Sequence, residues 1–194
     1  MPKCIALSAS RRLVVGAAAL LIASSGVQAQ SGGTSTKGQV KVVMLDLAFY
    51  GKRANDLMPN DSAMAMTATG VMRATLTGKP NITFVDSATV AKTASGPKAT
   101  ALVEDVPCNV VVACAREVGK ELGADWVVMG KISKTSDLIW ILSGELINVA
   151  SGKLVLDDSY ELKGSAAEMV PKGAEVFARR VAKKVTTPDS TVVQ

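Results

Sequence analysis

Two cysteines, Cys108 and Cys114, are the residues whose type and spacing most restrict the chemistry of this chain. They stand six positions apart in the stretch PCNVVVAC, the only other cysteine is Cys4, and the sequence contains no histidine. Without an imidazole base, Ser-His-Asp and Cys-His catalysis are excluded, and a zinc site would have to recruit distant carboxylates. A thioredoxin-type redox pair would need the closer CxxC spacing. We therefore predict a structural disulfide, with two free thiols as the alternative.

The spacing of the two cysteines also constrains the local backbone. In one continuous helix, a separation of six positions at a rise of about 1.5 Å would place the Cα atoms roughly 9 Å apart, whereas a disulfide bridges about 4.4–6.8 Å. We therefore expect Cys108 to lie outside the helix that carries Cys114 and to fold back onto its first turn.

A second set of candidate residues carries carboxylate and amide oxygens. Asp46 follows the apolar stretch VKVVML, at the position where open α/β sheets bind ligands, although its carboxylate could instead accept backbone N–H groups of the next loop. Asn55, Asp56, Asn60 and Asp61 offer hard oxygen ligands, but without the spacing of an EF-hand. These residues are the candidates for binding a small molecule or a metal ion.

The remaining carboxylates do not form a catalytic pattern. Asp157 and Asp158 are adjacent, so on a strand they point to opposite faces and cannot converge on one substrate. We expect both to be solvated. The sequence thus predicts a protein that is not an enzyme and that carries no cofactor and no dedicated metal centre.

The N-terminal residues are typical of an export signal. Lys3, Arg11 and Arg12 precede the apolar run LVVGAAALLIA, and Val27 and Ala29 occupy the positions that a signal peptidase recognises. The apolar run is shorter than a helix that spans a bilayer. We predict cleavage after Ala29 and a periplasmic protein without stable membrane insertion, and leave open whether it is exported by the Sec or the twin-arginine route.

The net charge of the chain depends strongly on this signal. The chain has 22 basic and 17 acidic residues, and three of the basic ones lie in the signal, so that 19 basic and 17 acidic residues remain after cleavage. A nearly neutral domain gives no indication of nucleic-acid binding. The basic pairs Arg179-Arg180 and Lys183-Lys184 lie on an amphipathic helical pattern, and we interpret them as its solvated face.

Composition divides the chain into four parts. We predict a signal peptide over residues 1–29, a flexible Gly/Ser/Thr-rich linker over 30–39, a domain over 40–185 and a disordered tail over 186–194. The domain is long enough to bury a hydrophobic core of its own.

Hydrophobic periodicity predicts the elements of the first half of the domain. Residues 40–49 are apolar on both alternating faces for most of their length, which is typical of a strand that is covered on both sides and lies inside a sheet. A helix over 62–77, a short strand from Ile82 and a helix over 87–94 capped by Ser87 follow. The segment 95–107 contains turn-forming residues and predicts a loop.

The second half of the domain predicts a sheet with a closing helix. The helix that starts at the cysteines ends at Gly123, and three strands over 125–133, 137–149 and 154–162 form an antiparallel meander. A final amphipathic helix covers 171–185, with Pro171 in or near its first turn. We therefore predict a single α+β domain with a mixed sheet and packed helices.

Three sequence strings, together with this order of elements, resemble a group of exported bacterial domains. The strings are VMLDL, CAREVGKELGADWVVMGKISK and INVASGKLV. The group includes the N-terminal domain of TolB, the curli secretion-channel component and the lipoprotein activators of penicillin-binding proteins, and the chain is most similar to its uncharacterised secreted members. The resemblance covers most of residues 40–185. It implies a TolB-like fold and the role of an assembly or interaction module, and it implies no catalytic residues.

The function predicted from the sequence is therefore a non-enzymatic interaction or assembly module of the bacterial cell envelope. The string LIWIL supplies more apolar surface than a sheet covered on one side can bury, and Trp140 within it is the candidate contact to an envelope protein. The alternative is a periplasmic binding protein that uses Asp46 and the loop from Asn55 to Asp61. The identity of the partner or ligand and the oligomeric state stay open.

Overall fold

A mixed β-sheet with helices packed on its faces forms the domain. The structure is a computed structural model that describes residues 38–51, 54, 56–104 and 106–187. The predicted signal peptide, most of the predicted linker and most of the predicted tail lie outside these residues. The described residues form a single α+β domain, which confirms the predicted fold class.

The sheet contains six strands. They are β1 (Val40–Met44), β2 (Ala48–Tyr50), β3 (Ile82–Phe84), β4 (Trp126–Ser136), β5 (Ile139–Asn148) and β6 (Leu154–Lys163). Their order is β3-β1-β4-β5-β6, and β2 pairs with β4 beyond the end of β1. Strand β1 is parallel to both of its neighbours, and β4, β5 and β6 form the predicted antiparallel meander. The prediction that the first strand lies inside the sheet is confirmed.

The predicted first strand is, however, divided into two. Met44 pairs with Val128 and Ala48 pairs with Lys131, so four steps along the first segment match three steps along β4. One extra residue must therefore leave the ladder, as in a β-bulge, and it re-aims the chain that follows. Asp46 lies in this break, between β1 and β2.

In the part of the chain that the structure describes, five α-helices accompany the sheet. They are α1 (Ala63–Thr77), α2 (Ser87–Ala94), α3 (Pro97–Thr100), α4 (Val112–Glu121) and α5 (Ala166–Thr186). Helix α2 has the predicted bounds, but Asp86 rather than Ser87 caps it, because the Asp86 carboxylate accepts a hydrogen bond from the Thr89 N–H (3.0 Å). Helix α3 lies in the segment predicted to be a loop. Helix α5 begins five residues before Pro171, which therefore lies inside it.

Helices α1 and α5 cover one face of the sheet. Met72 and Leu76 of α1 and Phe177 and Val181 of α5 are fully buried in one cluster with apolar residues of β1, β4, β5 and β6. Gly144 of β5 allows this contact, because a Cβ atom there would lie 2.5 Å from the Phe177 ring. The aromatic ring therefore packs directly on the backbone of the sheet.

The opposite face is covered only in part. Helices α2 and α4 pack on this face with α3 against both of them, and Val43 of β1, Val127 of β4 and Ile147 of β5 are fully buried there. Further along the meander this face carries half-buried polar residues such as Ser143 and Glu145. The sheet is thus two-sided near the parallel strands and one-sided near β6.

A disulfide joins Cys108 to Cys114, as predicted, with the two Cα atoms 5.2 Å apart. Cys108 begins a short 3-10 helix, Cys108–Val110, and Cys114 lies in the first turn of α4. Val111 between them has an extended backbone (φ −120°, ψ 109°). The chain therefore folds back at Val111, which confirms that Cys108 lies outside the helix.

Among the described residues, no helix combines the length and the apolar character that crossing a membrane requires.

Candidate functional site

Lys134 is buried at the edge of the sheet where β1, β2 and β4 end, called here the carboxyl edge. Only 1% of its side chain is exposed. Its ammonium group donates hydrogen bonds to Asp61 Oδ2 (2.7 Å), to Asp137 Oδ1 (2.6 Å) and to the backbone carbonyl of Asp56. It also lies 5.6 Å from the centre of the Trp140 ring, within range of a cation–π interaction. All three ammonium hydrogens thus have acceptors.

The four residues Lys134, Asp56, Asp61 and Asp137 are called here the Lys134 cluster. Burial by itself lowers the pKa of Lys134, but the hydrogen bonds to Asp137 and Asp61 and the nearby Asp56 charge outweigh it and raise the pKa above its ordinary value. Burial raises the pKa of Asp61, but hydrogen bonds from Lys134 and from the Met58 N–H together lower it. The contacts between Lys134 and Asp61 therefore favour the charged state of both side chains.

The Lys134 cluster joins two segments that are far apart in the sequence. Asp56 Oδ2 accepts a hydrogen bond from the backbone N–H of Asp137, and Asp61 Oδ2 accepts one from the Met58 N–H (2.7 Å). These bonds fix the loop before α1 against the turn between β4 and β5.

Three exposed apolar side chains flank these bonds. They are Leu57 and Met58 in the loop and Leu138 in the turn, called here the apolar rim, with exposures of 43%, 58% and 66%. Single exposed apolar side chains are common on protein surfaces, whereas a group of them marks a surface that can bind a partner. The polar cluster thus holds an apolar surface open to solvent.

Asp46 contacts different residues. Its carboxylate lies 3.6 Å from the Arg73 guanidinium of α1, with 68% of the side chain exposed, and its backbone carbonyl accepts a hydrogen bond from the Asn109 side chain. The Asp46 carboxylate thus pairs with Arg73, and no backbone N–H of the described residues donates a hydrogen bond to it. Through Asn109 the break in the first strand is tied to the disulfide-bonded turn.

A cleft of about 430 Å³ lies beside Asp46. Its apolar walls come from α2, α3 and the segment before the disulfide, and include Val90, Ala94, Val103 and Pro107. Asp46 and Asn109 are among its polar residues. The cleft lies where open α/β sheets bind ligands, beyond the carboxyl end of β1.

A second cleft lies on the other side of the disulfide-bonded turn. It measures about 970 Å³ and is lined by Tyr50, Phe49 and Lys134 among others. Val106, Pro107 and Asn109 line both clefts. The turn fixed by the disulfide is therefore the wall between them.

The structure separates the oxygen-bearing residues that the sequence placed together. Asp46 lines the first cleft, whereas Asp56 and Asp61 bind Lys134. Asn60 is exposed, and Asn55 lies outside the described residues. Within the described ranges, no three His, Cys, Asp or Glu side chains are grouped in a way that could hold a metal ion. Lys134 supplies the positive charge that Asp56 and Asp61 require.

The prediction that Trp140 contacts a partner requires correction. Trp140 is 1% exposed and packs in the core under α1 and α5, with its ring centre 6.2 Å from that of Phe49. Helices cover the face of the sheet that carries Trp140, so the indole has no free surface. Ile139 and Ile141 point to the other face and are half-buried.

Lys134 was not predicted as a site residue, although the alternating pattern of β4 contains a signal for it. Val128, Gly130, Ile132 and Lys134 alternate along β4 on the face that α1 and α5 cover. A lysine that continues a buried alternating set must find carboxylates, because an unpaired buried ammonium is costly. The aspartates of the loop before α1, Asp56 and Asp61, are the partners that it finds.

The model of the family DUF3280, described as "Protein of unknown function (DUF2380)", matches residues 40–181. The chain belongs to the DUF3280 family. The match begins at the first residue of β1 and ends within α5, so it spans the whole sheet of this DUF3280 domain. No curated protein matches the sequence.

Several solved structures are similar to this DUF3280 domain. The LpoB C-terminal domain from Salmonella enterica is 13% identical with a TM-score of 0.47, and the match covers 67% of this chain and 87% of that one. TolB from Acinetobacter baumannii is 12% identical with a TM-score of 0.47, over 76% and 28% of the chains. A PelC dodecamer from Paraburkholderia phytofirmans is 16% identical with a TM-score of 0.44, over 77% and 89%. At these identities the likeness concerns the fold alone, and TolB is among the proteins that the sequence resemblance names.

Proposed function

We propose that this DUF3280 protein is an exported, non-enzymatic interaction module that binds another protein through the apolar rim. The observation that carries the proposal is the exposure of Leu57, Met58 and Leu138 around hydrogen bonds that fix their backbone. A surface that is ordered before binding loses less conformational entropy when a partner docks.

The charges around the rim define the chemistry of the partner. The Lys134 cluster contains three carboxylates and one ammonium, and the Asp137 side chain is 63% exposed beside Leu138. The partner should therefore offer an apolar groove with basic residues at its border, because complementary charges guide association and disfavour other partners.

Crosslinking and pull-down from envelope extracts test the proposal. Leu138→Ser and Met58→Ser remove rim side chains that contribute little to the core, and Met66→Ser on α1 is the matched control because Met66 is 77% exposed. We expect one specific protein to be captured by the wild type and by Met66→Ser, and about tenfold less by the rim variants, as for an interface residue worth about 1.4 kcal/mol. Equal capture by all variants contradicts the proposal.

The cleft beside Asp46 supports a second candidate function, the binding of a small apolar molecule. Its volume of about 430 Å³ lies in the range of about 300–1,000 Å³ that is usual for ligand sites. Native mass spectrometry of the exported protein tests this candidate. A stoichiometric ligand that is lost on Asp46→Ala, with no captured protein, would favour this function over the interaction module.

A further inference from the structure

Five basic side chains lie at the end of the domain opposite the carboxyl edge. They are Lys79, which follows α1, and Arg179, Arg180, Lys183 and Lys184 in the second half of α5, and they are called here the basic edge. Two clefts of about 410 and 380 Å³ lie among them, and Lys183 lines both. The five side chains thus form one continuous surface.

Among the described residues, two of these charges are paired and three are not. Arg179 binds Glu175 (2.6 Å), and Arg180 binds Asp158 (3.2 Å). Asp158 is only 13% exposed and also accepts the Tyr160 hydroxyl hydrogen (2.9 Å), so it is not a solvated carboxylate as the sequence suggested. Among the described residues, no carboxylate lies within 4.0 Å of the ammonium groups of the three lysines.

The lysines of α5 have one local role. They lie in the last turn of the helix, where positive charge interacts favourably with the exposed backbone carbonyls. Lys79 is not part of α5, yet it lines a cleft together with Arg179 and Lys183. Compensation of one helix dipole therefore does not account for the whole surface.

Apolar side chains accompany these charges. The larger cleft is lined by Trp126, Val155 and Leu156 in addition to Arg180, Lys183 and Lys184. Leu154, the preceding residue of β6, is 43% exposed. Trp126 and Val155 are half-buried, Leu156 is buried and Leu154 is exposed. Tryptophan and lysine beside an exposed leucine are residue types found at the interface between a bilayer and water.

The basic edge and the carboxyl edge, which carries the aspartates of the Lys134 cluster, lie at opposite ends of the domain. Strand β4 runs from Trp126 at the basic edge to Lys134 at the carboxyl edge, a distance of about 26 Å at roughly 3.3 Å per residue. Val40, the first residue of β1, lies at the basic edge. Its N–H donates a hydrogen bond (2.8 Å) to the backbone carbonyl of Asn81, a residue that lines the smaller cleft. If the basic edge lies on a surface, the apolar rim points away from it.

We propose that the basic edge docks the domain on the surface of a bilayer rich in anionic phospholipids. The three free lysines would contact phosphate groups, while Trp126 and Leu154 would lie at the level of the headgroups. Because the contact is peripheral and electrostatic, it weakens with salt. The apolar rim would stay free for a partner, so the two surfaces can be tested independently.

Co-sedimentation with vesicles tests this proposal, using the protein purified after export. The vesicles contain either phosphatidylglycerol mixed with phosphatidylethanolamine or phosphatidylcholine alone. A basic residue near an anionic surface contributes about 1 kcal/mol, or about fivefold in partitioning, so Lys183→Ala with Lys184→Ala should weaken binding about 25-fold. Lys98→Ala with Lys172→Ala is the matched control, because it removes equal charge from exposed lysines outside the basic edge.

Several outcomes would overturn the proposal. Equal binding of the two double variants, equal binding to both kinds of vesicle, or insensitivity to salt would each do so. Binding of inorganic phosphate or of a DNA duplex with the same dependence on Lys183 and Lys184, without preference for vesicles, would assign the surface to another anion. Leu138→Ser should bind vesicles as the wild type does, so failure of the membrane contact and failure of the partner contact remain distinguishable.

Discussion

Lys134 and Asp61 contribute to stability with opposite dependence on pH. The pKa of Asp61 is lowered in the folded state, so its stabilising effect is present above its unfolded value, near 3.8, and is lost as the pH falls through the folded pKa. The pKa of Lys134 is raised, so its effect is present below about 10.5 and is lost as the pH rises through the folded pKa. Around neutral pH both contributions are complete.

The acid side of this dependence is a direct prediction. We expect the urea midpoint of the wild type to fall as the pH is lowered from about 5 to about 2, and to fall less steeply in Asp61→Asn, which has no carboxylate to protonate. Lys134→Met should destabilise the protein more than Asp137→Asn, because it leaves buried carboxylates without their cation.

Two results would contradict these predictions about Asp61 and Lys134. Asp61→Asn with the same acid dependence as the wild type would show that Asp61 is not bonded to Lys134 in the folded protein. A Lys134→Met variant as stable as Asp137→Asn would show that the ammonium group is not buried.

Trp140 provides a prediction about the core. Trp140→Ala should lower the free energy of unfolding by about 3–5 kcal/mol, since it empties a large buried site. Trp140→Phe should cost less than Trp140→Ala, because it keeps a ring against Phe49 and removes an indole N–H that has no acceptor in the described structure. Urea unfolding checks both predictions.

A role of Trp140 in partner binding would give the reverse pattern. Trp140→Ala would then keep its stability and lose the captured protein. On the structure described here we expect Trp140→Phe to capture the partner as the wild type does, provided that it is folded.

At the scale of elements, the disulfide fixes the entry of α4 and the wall between the two clefts. Cys108 and Cys114 are six positions apart, so the disulfide closes a short loop. Asn109 in this loop binds the carbonyl of Asp46. The disulfide therefore fixes a turn that is hydrogen-bonded to the segment between β1 and β2.

Removal of the bridge should have a moderate effect. For a short loop the chain-entropy model gives a stabilisation of about 2–3 kcal/mol, so Cys108→Ser with Cys114→Ser should lower the free energy of unfolding by that amount. Reductant should lower the stability of the wild type to that of the double variant and leave the variant unchanged. Thiol titration of the denatured, unreduced protein should detect no free thiol, and finding two would refute the bridge.

The elements that were predicted and those that were missed differ in how local their signals are. Helix α2 was predicted over its observed range because a capping residue and apolar spacing both lie within a few residues. Helix α3 has only four residues after Gly96, at Pro97–Thr100, so its apolar period is too short to detect. Helix α5 was predicted to start near Pro171 because proline favours first turns, but the tertiary packing of Val170 extends it backward.

At the scale of the whole molecule, the two ends of the sheet carry different surfaces. The carboxyl edge presents an acidic, partly apolar surface built on the Lys134 cluster. The basic edge presents Lys79, Lys183 and Lys184, which have no carboxylate partner among the described residues, near Trp126 and Leu154. A module that meets a membrane at one end and a protein at the other would have this arrangement.

Export remains a prediction from the sequence. Mass spectrometry of the protein recovered from the periplasm should find an N-terminus at Gln30, because the residues before it have the small side chains that a signal peptidase requires. Recovery of the chain with Met1 intact, or only from the cytoplasm, would contradict this prediction and with it the assignment to the envelope.

The sequence by itself determined the order of the main elements, the interior position of the first strand and the pairing of the cysteines, although it predicted β1 and β2 as one strand and α3 as a loop. Each follows from local properties: apolar period, turn residues, and the reach of a disulfide. The burial of Trp140, the pairing of Lys134 with Asp56 and Asp61, and the separation of those aspartates from Asp46 were decided only by the tertiary structure. These three features depend on which face of β4 and β5 is covered by α1 and α5. That packing brings together residues that are far apart in the chain, and a local sequence pattern does not predict such contacts.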